Sequence, residues 1–299
     1  METLVMSPGM AELDKLGQVA EYLATFQADF PRRDQLRWAA VYVHGLLSRL
    51  PRKNIEMMAR RIVLPPGWLA LDAKQALQNF ISHSPWDEDL LWRRHRARLA
   101  ERLGREDGLF VIQEVPFVKH GPHSVGVQRQ FSATLGRKIN CQLAMEIHYV
   151  SAFGHAPLAL RLYLPQKWRQ ASARLDVAGV PISFRGSSGK LQLALELLAE
   201  VRAEKFPGKY VAAPGLTIPE EISEALTKQG CYVVGSQTAS GEQTESHALP
   251  LRKFLRQAQK DLQRMKDRLG LDHFEGRSWR GFHHHACLVA LAFAYKKVG

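Results

Sequence analysis

The residue types that could do chemistry come together first at the end of one short run. Gly108-Leu109-Phe110-Val111-Ile112-Gln113-Glu114-Val115-Pro116-Phe117 is apolar, rich in Val, Ile and Phe, and bounded by Gly and Pro. That pattern reads as a short buried strand whose chemistry lies where the apolar side chains stop, at Gln113 and Glu114. A carboxylate there could share a hard cation with other oxygen ligands, whereas the amide carbonyl of Gln113 is a much weaker partner. Glu114 is one position along, and successive strand side chains face opposite ways, so a bulge or register slip would be needed to exchange them. Three further groups qualify. Glu275 opens Glu275-Gly276-Arg277-Ser278-Trp279, and by its place in that run reads as a helix N-terminal carboxylate. His283, His284 and His285 invite a zinc hypothesis, but consecutive helical side chains diverge by about 100°, so structural or DNA-facing roles fit better. Trp92-Arg93-Arg94-His95-Arg96-Ala97-Arg98 is the densest positive stretch, either a solvated helix face or a phosphate-contacting surface.

The elements that must position these groups fall into two halves. Residues 11 to 105 read as helical: Leu13, Leu16, Val19, Ala20 and Leu23 recur at helical spacing up to Pro31. Asp34 to Ile62 carries one apolar stripe, and Ala76, Leu77, Phe80 and Ile81 mark another helix that breaks at Ser84-Pro85. From Leu109 the pattern becomes strand-like over 110–117, 124–134, 140–150 and 156–164, with short Gly-containing connections suited to hairpins. A helix over 191–205, a strand over 210–213, a helix over 220–228 and a strand over 231–234 follow. Residues 236 to 249 read as a polar loop. An amphipathic helix then runs from Leu251 to Leu269 and stops at Gly270, and a last helix holds Trp279 and Phe282 as core anchors. This is an α/β (α+β) chain: a mixed sheet flanked by helices, with an all-helical N-terminal region. The expected division is 1–105, a helical DNA-binding or packing region, and 106–299, the sheet domain.

The chain has 299 residues and a net charge of +12, from 41 Lys and Arg against 29 Asp and Glu. That excess favours a polyanionic partner, nucleic acid above all. Nothing in the first twenty residues looks like a secretion signal, and the longest apolar run, 286–295, is too short to span a bilayer, so a cytoplasmic, nucleoid-associated protein is expected. The three cysteines have no metal-type spacing and read as reduced thiols.

Several blocks, in order, resemble the insertion-sequence DDE transposases. They are Arg37-Trp38 with Tyr42-Val43-His44-Gly45-Leu46-Leu47, Arg52-Lys53-Asn54, Ser84-Pro85-Trp86-Asp87, the run Lys119 to Gln130, Asn140-Cys141-Gln142, Leu162-Tyr163-Leu164-Pro165 with Trp168, and Glu275 to His285. The resemblance implies an RNase H-like catalytic fold in which two Asp and one Glu hold a pair of divalent ions for in-line attack on phosphate. On that matching the first Asp position is Gln113, within Ile112-Gln113-Glu114-Val115-Pro116, and the second is Ala213, within Ala212-Ala213-Pro214-Gly215-Leu216-Thr217; Glu275 is the retained third carboxylate and Glu114 the candidate substitute. The family's β-rich insertion is shortened here to the region near 236–249. The expected protein is therefore a domesticated, catalytically inactive relative that binds double-stranded DNA and needs no cofactor. Its expected DNA contacts are Arg93, Arg94, Arg96, Arg98, Lys119, His123, Arg129, Arg137, Lys138, Arg277 and Arg280, with other proteins of a DNA-targeting complex and a second copy of the chain as further partners. Two alternatives stay open: an active Mg²⁺-dependent transposase or nuclease with relocated carboxylates, and a protein-interaction scaffold.

Overall fold

The computed structural model of the protein describes residues 8–66, 68, 72–186, 189–235 and 250–298. The polar stretch 236–249, expected as a loop and shortened insertion, lies outside the described residues. The chain divides into two compact units: one of Met1–Leu91, Met265–Gly276 and Arg280–Gly299, the other of Trp92–Arg264 and Arg277–Trp279.

The first unit is helical. It contains α1 (Pro8–Ala24), α2 (Arg33–Leu47), α3 (Ile55–Arg61), α4 (Ala73–Ser82), the first turn of α5 (Glu88–Leu103) and most of the chain's last helix. Leu16, Val19 and Leu23 of α1, Ala40, Val43 and Leu46 of α2, and Leu77, Phe80 and Ile81 of α4 are buried, the faces the 3.6-residue spacing requires. The single stripe expected over 34–62 is broken into two helices. Pro51 lies in the interruption, and Asn54 restarts the helix by accepting the Met57 N–H at 2.9 Å.

The second unit is built on a six-stranded mixed sheet: β1 (Leu109–Val118), β2 (Gln128–Ser132), β3 (Arg137–Val150), β4 (His155–Leu162), β5 (Tyr210–Ala212) and β6 (Tyr232–Val233). The order is β2-β3-β1-β5-β6, and β4 pairs with the far half of β3. The pairs of β3 with β1, β2 and β4 are antiparallel, whereas β1-β5-β6 are parallel, as hairpins followed by helical crossovers demand. This is the mixed sheet of the RNase H-like expectation. Helices α6 (Gln166–Arg169), α7 (Ser172–Val177), α8 (Lys190–Ala203) and α9 (Glu220–Lys228) complete the unit with the greater part of α10 (Leu251–Leu269), and α11 (Trp279–Val298) begins there. The short α6 and α7 had no counterpart in the sequence reading, since single turns lack a measurable period.

One face of the sheet meets α10. Leu109 and Val111 of β1, Val150 of β3, Ala212 and Val234 pack with Phe254 and Ala258. Gly270, at φ 67°, ends α10 where a side chain would be strained. Gly108 has no room for a side chain, because a Cβ would stand 1.9 Å from the Tyr149 hydroxyl.

His95 of α5 is buried, and its Nε2–H donates to the Pro157 carbonyl at 3.1 Å. Burial pushes its pKa down to about 3, against the carbonyl's opposing pull. The folded state thus holds it neutral while the unfolded chain takes up a proton below roughly pH 6.5. Its contribution to stability is complete above that value and declines as pH falls toward 3, by roughly 5 kcal/mol at the limit. Urea unfolding between pH 7 and 4 should therefore show a shallower loss for His95→Gln than for the unaltered chain.

Candidate functional site

Gln113 occupies the middle of β1, buried, and faces Glu146 across the antiparallel pair with β3. Its Nε2 donates to Glu146 Oε2 at 3.0 Å. The amide's donor is thus committed to a neighbouring carboxylate. Glu114 points to the opposite face, as alternation requires, and the β1–β3 register runs unbroken through 109–118 with no slip to turn it round. Its carboxylate accepts from Ser132 Oγ at 2.8 Å and pairs with Lys190 Nζ at 2.6 Å. The candidate substitute is therefore on the wrong face and already neutralised. Ala213, buried immediately past the end of β5, offers a methyl and no ligand atom.

Glu275 belongs to the helical unit. Its Oε1 meets Arg52 Nη2 at 2.8 Å and Asn54 Nδ2 at 3.2 Å. Two of the blocks that carried the resemblance, Arg52-Lys53-Asn54 and Glu275 onward, are thereby joined in space. The alternative reading of Glu275 as a helix N-terminal carboxylate is corrected, because α11 begins four residues later without an acidic residue in its first turn. The histidine triplet diverges as helical geometry demands. His284 bonds the Ile81 and Trp86 carbonyls, while His285 meets Tyr42 and the carbonyls of Gly270 and Leu271. His283, His284 and His285 are all buried, so the DNA-facing option for them is corrected too.

What sequence reasoning missed is a chain of buried polar groups on the Gln113 face. Glu146 Oε1 meets His148 Nδ1 at 2.9 Å, and His148 Nε2 meets Asp261 Oδ2 at 3.1 Å. His155 Nδ1 contacts the same oxygen of Asp261. Glu146, His148 and Asp261 have no side-chain exposure at all. Burial alone would lower the His148 pKa, yet the hydrogen bonds and charges of Asp261 and Glu146 outweigh it and raise it. Burial likewise opposes ionisation of Asp261, and His148 and His155 overcome it, holding the carboxyl well below its usual range. The signal was present in the sequence. Glu146 and His148 interrupt an apolar strand at i, i+2, and Asp261 interrupts the apolar stripe of α10 between Ala258 and Met265.

The basic residues separate into two kinds. Arg96 is a correction: it is buried, forks onto Glu204 through Nε and Nη2, and donates Nη1 to the Leu158 carbonyl, so it braces α5 and cannot reach a phosphate. Arg93 is exposed beside the same Glu204, and Arg94 is exposed. Arg98 is half-buried. Arg129, Arg137 and Lys138 are exposed on the β2–β3 hairpin, and Lys119 is half-buried where the Asn140 side chain bonds its carbonyl. His123 and Arg277 line a cleft of about 510 Å³ with Trp168, Arg174, Val177 and Ala178. Two of the lining residues are tied to the chain behind them: Trp168 Nε1–H donates to the Val127 carbonyl at 2.8 Å, and the Arg277 carbonyl accepts from the Val125 N–H at 3.0 Å. Arg174, which no sequence pattern singled out, stacks over Trp168 with its guanidinium carbon 3.9 Å from the ring centre. Arg280, exposed, lies in the helical unit with Nη1 on the His83 carbonyl.

The DDE superfamily endonuclease model matches residues 25–240, most of the chain and the whole of β1 to β6. The chain belongs to that family. It is also similar to a probable transposase for insertion sequence element IS701 from Microchaete diplosiphon, 28% identical over 183 residues, which are 59% of this chain and 46% of that relative. It thus spans about half the length of the curated relative it matches. In this DDE-family chain no helix among the described residues is long and apolar enough to cross a membrane.

Placing an acidic residue at position 113 should be costly. Gln113→Asp removes the donor to Glu146 and sets two carboxylates together out of water. We expect a loss of roughly 2–4 kcal/mol at pH 7 by urea unfolding, shrinking toward pH 5 as a shared proton relieves the repulsion. An unchanged midpoint at pH 7 would mean that the Gln113–Glu146 bond carries nothing.

Proposed function

We propose that this chain is a catalytically inactive DDE-family protein that binds double-stranded DNA through its phosphates and acts by occupying or marking a site, not by cutting it. The observation that carries the reading is the state of the three expected ligand positions. Gln113 is a neutral amide engaged by Glu146, Ala213 is a methyl, and Glu275 is exposed and paired with Arg52. These residues do not fit a pair of hard divalent cations, which require several anionic oxygens on one centre. Glu114 does not repair the deficit, because Lys190 neutralises it on the far face.

The positive charge persists. Arg129, Arg137 and Lys138 on one hairpin, with Arg174 and Arg277 around the cleft that His123 and Trp168 also line, present cations on the sheet unit. Arg forks suit phosphate oxygens, and such contacts supply affinity without reading sequence. The family membership supports DNA over an acidic protein as the polyanion. Other proteins of a targeting complex, a second copy of the chain and a nucleoid location belong to the same proposal.

Fluorescence anisotropy with labelled duplex should give an affinity that falls steeply with salt. Replacing Arg174 and Arg277 together by Ala should weaken binding about tenfold at 0.1 M salt and lower the salt slope by about 2, one per lost phosphate contact. Incubating labelled duplex with the protein and Mg²⁺ or Mn²⁺ should yield no products. Metal-dependent cleavage abolished by Glu275→Gln would overturn the inactive reading, and a salt-independent affinity would overturn the phosphate-binding one.

A further inference from the structure

We propose that His148, His155 and Asp261 form a site for one divalent transition-metal ion of the zinc class, which fastens α10 to the sheet. The three potential ligand atoms all lie within 4.8 Å of one another. His148 Nε2 and His155 Nδ1 converge on a single oxygen, Asp261 Oδ2, the first at 3.1 Å. In a tetrahedral zinc site with bonds of about 2.0–2.2 Å, neighbouring donors stand about 3.3 Å apart; His148 and Asp261 already stand close to that spacing, and His155 would draw back from Asp261 to admit the ion. A carboxylate oxygen carries no hydrogen of its own. Where two imidazole nitrogens face it, each contact must be made either by a ring N–H donor or through a shared metal ion.

Three features favour the metal. First, the outer partners are those of a ligating histidine. His148 Nδ1 is bonded to Glu146 Oε1 at 2.9 Å, which directs its other nitrogen inward as the donor, and Gln113 in turn donates to Glu146. Asp261 is steadied through its other oxygen by Gln257 Nε2 at 3.0 Å and Arg264 Nη1 at 3.4 Å, leaving Oδ2 for the site. Arg264 is 60% exposed, so solvent screens its charge. Second, His155 is aimed by a local irregularity. The β3–β4 register passes from Ile147 opposite Ala159 to His148 opposite Pro157, leaving Leu158 as an extra residue on β4. An inserted residue reverses the alternation beyond it, so His155 faces the same side as His148 where a regular strand would have turned it away. Third, two nitrogens and one oxygen suit zinc or its neighbours far better than Mg²⁺ or Ca²⁺. His148 and Asp261 are fully enclosed, whereas His155 retains 23% exposure and provides the way in. The ligands come from the β3–β4 hairpin and from α10, so one ion would tie that hairpin to a helix 113 residues beyond His148. The site does not depend on the DNA-binding reading, and neither stands or falls with the other.

The test uses the full, tag-free chain stripped with a chelator. Zn²⁺ titration against a chromophoric competitor, with metal content by mass spectrometry, should show one ion per chain and a Tm rise of about 5 °C or more. Co²⁺ in its place should give the strong visible bands of a tetrahedral centre. His155→Gln, at the partly exposed ligand, should weaken uptake at least tenfold and abolish the Tm rise, while Arg256→Ala, at an exposed position of α10, should retain both. No saturable uptake, or uptake unaffected by His155→Gln, would overturn the proposal in favour of protons holding the cluster. Should His155→Gln fail to fold, the Co²⁺ spectrum of the unaltered chain decides: tetrahedral bands support the site, and their absence overturns it.

Discussion

The sheet unit depends on how it neutralises charge in its own interior. Glu146 and Asp261 are carboxylates without solvent access, placed where an unpaired charge would be prohibitive. His148 lies between them with a nitrogen on each, and Gln113 and His155 close the two ends. The chain of contacts runs from β1 through β3 to α10 and back to β4. It adds fixed polar contacts between α10 and the sheet to the apolar packing of Phe254 and Ala258 against Leu109 and Val111. Dispersion and area burial hold the helix on the sheet; the polar chain defines where along it the helix comes to rest.

That constraint bears on what the centre of β1, where the resemblance implied the first carboxylate, can do. A strand centre able to display carboxylates toward a metal pair here displays an amide, and the amide is consumed in satisfying Glu146. The neighbouring Glu114 is held by Lys190 and Ser132 on the other face. Each acidic group around β1 already has a cationic or hydrogen-bonding partner from the protein. Hard-cation chemistry needs the opposite arrangement, in which carboxylates crowd together and only a metal relieves them.

The positive residues separate by the same test of partnership. Arg96, in the densest basic run, is enclosed and bound to Glu204, so it belongs to the architecture. The exposed cations of the β2–β3 hairpin and of the cleft around Trp168 do not brace the core in that way, and Arg174, lying over the Trp168 ring, stays exposed. A basic sequence patch therefore says less about binding than the burial of its individual members.

Local order was legible before any coordinates. The helical N-terminal half, the four leading strands, the α10 stripe and its stop at Gly270 all follow from period and from Gly and Pro placement, which act within a few residues. So did the opposed faces of Gln113 and Glu114, because alternation along a strand is a property of the backbone. What the tertiary structure alone decided was partnership across long separations: Gln113 with Glu146, Asp261 with His148 113 residues away, Glu275 with Arg52 and Asn54, Arg96 with Glu204. The reversal of β4 at Leu158 belongs here too, since one inserted residue changes which face His155 serves without altering the strand's composition. Periodicity tells which side a residue faces; which charge waits on that side is settled only when distant strands and helices pack.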